Sequence, residues 1–163
     1  MGIPSITIAC CLFLQALSRC EASEGSPSPI ADDIVREAKS HIGDPKWSRA
    51  SNYSSGPNTD KYHIFVADVM KEAGGSVPSW YFYGGPIGAG EWGSRWSFYL
   101  MFSPSWITVN SPLIGDVIGD GQIVGIMTGP NKTTHAGRRR VVENDWGFRP
   151  NQSLAYWRYF PYW

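Results

Sequence analysis

The chain has 163 residues, and its 14 basic and 14 acidic side chains cancel. A balanced charge offers no long-range attraction to nucleic acid or to an anionic membrane surface, so neither is expected as a partner. All three cysteines, Cys10, Cys11 and Cys20, fall within the first twenty residues, so the remainder can form no disulfide and must be held by packing.

Residues 3 to 17 form one uncharged, mostly apolar run followed by small and polar residues. It is too short to cross a bilayer comfortably and reads as a signal peptide over residues 1–22, cleaved after Cys20 or Ala22. The expected location is therefore secreted and extracellular. The triplets beginning at Asn52, Asn131 and Asn151 have the form of glycosylation acceptors. Removing Arg19 and Glu21 with the leader keeps the charge balanced. By composition, residues 23–29 are a flexible connector to one domain over 30–163, long enough for its own core.

Ile34, Val35, Ala38 and Ile42 recur at helical spacing behind Asp32 and Asp33, with Gly43 placed to end the helix. After a polar stretch a second helix is expected from Asn58 or Thr59, either of which can cap it. Phe65, Val66, Val69, Met70 and Ala73 would form its buried stripe, with Gly74 and Gly75 at its end. Tyr62 falls in its first turn. Residues 76–112 hold ten aromatic side chains among Gly and Pro: Trp80, Tyr81, Phe82, Tyr83, Trp92, Trp96, Phe98, Tyr99, Phe102 and Trp106. Most are expected to close a core poor in regular structure, with two or three facing a groove for glycan or peptide. Short β-branched runs at 113–118, 122–127, 140–143 and 155–160 indicate strands, and helices followed by an antiparallel sheet indicate an α+β fold. Arg138, Arg139 and Arg140 read as a solvated loop.

Asn58-Thr-Asp-Lys-Tyr-His-Ile-Phe-Val66 resembles the start of the active-site helix of NlpC-type, papain-like cell-wall peptidases, in which the position of Tyr62 holds the nucleophilic Cys. Gly85-Pro-Ile-Gly-Ala-Gly-Glu-Trp-Gly93 resembles a segment of related bacterial amidases. Gly115-Asp-Val-Ile118 and Ile123-Val-Gly-Ile126 are similar to the first two core strands of the family, the second reading His-Val-Gly-Ile in active members. Val141-Val-Glu-Asn-Asp-Trp-Gly-Phe-Arg149 resembles a downstream segment of type VI secretion amidase effectors and their domesticated secreted relatives. The four partial motifs run in family order over roughly residues 30–160.

The resemblance implies a papain-like α+β fold, N-terminal helices before a small antiparallel sheet, and peptidoglycan or its fragments as partner. It implies no cofactor, and three histidines without ligand spacing suggest no metal site. Active members pair the Cys with a His that takes its proton. Ile123 stands at that His position, or Gln122 if the alignment shifts by one, and neither is a base. The expectation is an inert homologue that keeps an aromatic cleft, with Tyr62, His63, Tyr83, Trp92, Trp96 and Trp146 as ligand-binding candidates and a defence or decoy role. The alternative is an active amidase using a rearranged site, for which His63, His135 and Asp145 are the remaining catalytic candidates. Asn144 or Asp145 could occupy the third polar position, which orients the His in active members.

Overall fold

The structure, a computed structural model, describes residues 25–81 and 84–161. The leader, the start of the connector and Tyr83 lie outside the described residues. The architecture is α+β: two helices pack on a six-stranded antiparallel sheet, with two single-turn helices in the segment between them and the strands. The helices are α1 (Ala31–Ser40), α2 (Tyr62–Glu72), α3 (Ala89–Trp92) and α4 (Phe98–Met101). The strands are β1 (Trp106–Val109), β2 (Val117–Gly119), β3 (Val124–Gly129), β4 (Lys132–Ala136), β5 (Val141–Asn144) and β6 (Ala155–Tyr159). Their order in the sheet is β1-β6-β2-β3-β4-β5.

Alternation along the strands divides the apolar residues between two faces. Val117, Val124 and Ile126 join Ile34, Ala38, Phe65, Val69 and Met70 in the main core beneath α1 and α2. Ile118 and Met127 turn the other way and pack with Trp146 in a smaller cluster that Ile123, Phe148, Leu154 and Tyr156 cover. Every residue of the stripe expected on α2 is buried. The helix ends as a Schellman motif: Gly75 N–H donates to the Met70 carbonyl, Gly74 N–H donates to that of Lys71, and Gly74 has φ +82°, which favours glycine.

Several expectations are corrected. Helix α2 starts at Tyr62 rather than Asn58 or Thr59, because the preceding loop closes around a buried lysine. Lys61 is 1% exposed, and its Nζ donates to the carbonyls of Gly56 (2.8 Å), Ser48 (3.2 Å) and Thr59 (3.2 Å). Asn58 takes a left-handed turn at φ 62° in that loop. Ile42 lies past the end of α1 and is exposed, while Gly43 N–H donates to Val141 O and covers the outer edge of β5. Strands β1 and β4 were not expected. Within the described part of the connector, the Ser26 carbonyl accepts from Arg158 Nη1 at 2.9 Å, and Ser28 is buried. Arg158 itself is fully buried and forms a bidentate ion pair with Asp116, at 2.9 and 2.8 Å.

Candidate functional site

Tyr62 is the first residue of α2, where Phe65 N–H makes the first helical bond to Lys61 O and the preceding amides have no partner within the helix. Its half-buried ring packs on the main core and stands 6.3 Å, centroid to centroid, from the imidazole of His135. His135 comes from β4, where Thr133, Thr134 and His135 are buried and pair with Asn144, Glu143 and Val142 of β5. On the neighbouring strand Gly125 makes room for it, since a Cβ there would lie 2.9 Å from that of His135. Trp146 meets the imidazole edge-on at 5.6 Å. The helix start, strand β4 and the turn after β5 thus bring three rings together.

The hydrogen bonds fix the state of the imidazole. A carbonyl can only accept, so the 2.9 Å contact between His135 Nδ1 and Ala136 O places the proton on Nδ1 and leaves Nε2 as an acceptor. That Nε2 is buried and has no hydrogen-bond partner among the described residues. Burial lowers the pKa of His135, with the Ala136 carbonyl and the Asn144 side chain opposing and Arg149 adding to the fall. Burial also raises the phenol of Tyr62, reinforced by the charge of Asp60 and opposed by Arg138 and Arg49. At neutral pH both groups are uncharged: a phenol that can donate and an imidazole nitrogen that can accept.

The remaining candidates fall elsewhere. His63, next on α2, is half-buried, and burial alone lowers its pKa; it makes no ring contact with His135 among the described residues. Asp145 is exposed and bound to Arg149 at 2.6 and 2.8 Å, so it does not orient the imidazole. Of the two residues considered for that role, Asn144 is the one that acts on His135, while its Oδ1 accepts from Trp146 N–H at 2.8 Å. Ile123 is half-buried against the Trp146 cluster, just ahead of β3. Trp92 is corrected outright: at 1% exposure it packs edge-on to Trp106 at 4.9 Å and belongs to the core. Trp96 is 81% exposed and makes no ring contact among the described residues.

The expectation that most aromatics of the 76–112 segment close the core is not met among the described residues. Among its described aromatics only Trp92 and Trp106 are buried, while Tyr81, Trp96, Phe98 and Phe102 stand in solvent. Part of this segment lines a cleft of about 490 Å³, formed by residues 76–81 with Tyr99, Phe102 and Ser103. The cleft and the Tyr62 cluster share no residue. Reading the aromatics as one groove therefore merged two separate surfaces. The described residues contain no cluster of three or more His, Cys, Asp or Glu arranged to hold a metal ion. No helix among them is long and apolar enough to cross a membrane.

The molecule these features define is an α+β domain with an antiparallel sheet and a neutral Tyr–His–Trp cluster at a helix start. Comparison with known proteins finds no family model and no curated protein that matches the chain.

Proposed function

We propose that this chain is a secreted, papain-like domain that recognises peptidoglycan, or fragments of it, at the site of a former amidase centre without cutting it. The observation that carries this reading is the cluster at the start of α2, where Tyr62 lies against His135 and the proton-free Nε2 of His135 is buried without a partner. An unpaired buried acceptor costs roughly 1–3 kcal/mol, a penalty that a ligand N–H removes on binding. A phenol donor beside an imidazole acceptor matches a peptide amide, which offers one carbonyl and one N–H. Because Nε2 is buried, a ligand reaches it only when a neighbouring side chain moves aside. The same chemistry disfavours cleavage, because a phenol held above its ordinary pKa is protonated at neutral pH and is a poor acyl acceptor.

The test is calorimetric titration with a soluble disaccharide–tetrapeptide muropeptide, followed by mass spectrometry of the recovered ligand. Saturable binding, intact ligand and a loss of at least about tenfold in affinity for His135→Phe support the reading. Binding indifferent to that substitution, or a cleaved peptide, overturns it.

A further inference from the structure

We propose that the cleft in the aromatic segment is a second binding site, which takes a neutral oligosaccharide. Its walls come from a loop that carries little regular structure yet is held at several points. Trp80 N–H donates to Gly85 O at 3.1 Å, Ile87 N–H donates to Pro78 O at 3.1 Å, and Ile87 is fully buried beneath the loop. At the loop's start, the Ser76 carbonyl accepts from the indole of Trp106 at 2.9 Å. The aromatic wall is therefore fixed to the core.

Tyr99 sits at the centre of that wall. Trp80 meets it edge-on at 4.9 Å and Tyr81 leans on it at 5.2 Å. Tyr81 and Phe102 are each 70% exposed, an unusual state for two large rings flanking one concavity. Ser76, Ser79 and Ser103 belong to the same lining, and among the described residues no lining residue carries a charged side chain. About 490 Å³ falls within the roughly 300–1,000 Å³ of sites that hold small ligands.

The choice of occupant follows from this chemistry. The C–H faces of a pyranose ring carry partial positive charge and pack on the negative face of an aromatic ring, while its hydroxyls seek hydroxyl partners. A lining of rings and serines without charge satisfies both needs and gives no anchor to phosphate or carboxylate. An anionic membrane would call for a basic rim, and an apolar partner would leave the serine hydroxyls unpaired. The inference stands apart from the proposed peptide site, with which the cleft shares no residue.

The test titrates the protein with chitotetraose, an uncharged probe, by calorimetry and by the indole N–H resonances in two-dimensional NMR, assigning Trp80 through Trp80→Phe. Saturable binding that shifts the Trp80 resonance is expected, unchanged within about twofold by roughly 0.5 M salt. Tyr81→Ala with Phe102→Ala should weaken it at least about tenfold, while Trp96→Ala and His135→Phe leave it intact. Both truncated rings are mostly exposed, so the double variant should keep the parent's thermal midpoint. No saturation by concentrations on the order of 10 mM would overturn the proposal. So would equal binding by the double variant, or a patch that instead drives adsorption to phosphatidylcholine vesicles or self-association. Muropeptide binding lost on His135→Phe with chitotetraose binding retained, or the reverse, shows which of the two sites has failed.

Discussion

Trp92 and Trp96 lie four residues apart in the same aromatic segment, yet one is 1% and the other 81% exposed. The same contrast separates the two proposed sites. Around Tyr62 the rings are seated by defined elements: a helix start, a strand paired on both sides and a turn that Gln152 ties by accepting from Gly147 and Arg149 N–H. In residues 76–103 the described rings ride on loops and two single turns of helix, and Tyr81, Trp96, Phe98 and Phe102 remain in solvent. Burial follows the period of the element that carries a residue, and where there is no period, composition alone does not reveal which rings are inside.

The largest expected effects test whether the ordered half of the molecule depends on its buried groups. Asp116→Ala strands the guanidinium of Arg158 in the core and should destabilise by about 3–5 kcal/mol, measured by urea unfolding. Trp92→Ala should lose a similar ~3–5 kcal/mol through the cavity it leaves. Trp96→Ala, by contrast, should fall within about 0.5 kcal/mol of the parent. Equal effects at the two tryptophans would break the comparison. Lys61→Met leaves its carbonyl partners without their donor and should cost roughly 1–3 kcal/mol, loosening the loop that precedes Tyr62. Hydrogen exchange confined to residues 48–61 would show that local opening.

A subtler effect concerns pH. Burial lowers the folded pKa of both His135 and His63, so as pH falls below the unfolded value near 6.5 the unfolded chain takes up protons that the folded chain does not. Stability is therefore fully present above that value and declines as pH drops toward the folded pKa values. Thermal midpoints between about pH 7.5 and 5 should fall in the parent and fall less in His135→Phe. A flat profile in the parent would contradict the buried, neutral imidazole. Smallest of all is Asp145→Asn, which breaks only the exposed contact with Arg149 and should leave both muropeptide binding and the midpoint unchanged.

The parts of the fold legible in the sequence were those with a clear period. The stripe from Phe65 to Ala73 specified α2, and the runs around Val117, Val124, Val141 and Ala155 specified strands to within a few residues. Strand β4 was hidden because Thr133, Thr134 and His135 are polar; the β-branched character of the two threonines was the available signal. Missing that strand also obscured the site. Tyr62 could be placed at a helix start from its neighbours, but its meeting with His135 depends on a strand pairing that no local pattern encodes. Asp145 points to Arg149 in solvent, whereas Asn144, at the end of the strand paired with β4, raises the pKa of His135 against the effect of burial. Trp92 shared the composition of a binding residue and the burial of a core one.

The most direct test of the central claim is incubation of the protein with purified peptidoglycan sacculi, scoring co-sedimented protein and, by mass spectrometry, soluble fragments released across a range of pH. The account predicts saturable sedimentation that weakens for His135→Phe, with no fragment above the buffer control. Release of a defined peptide or muropeptide that disappears in the His63→Ala, His135→Ala double variant would contradict it and show a working hydrolase.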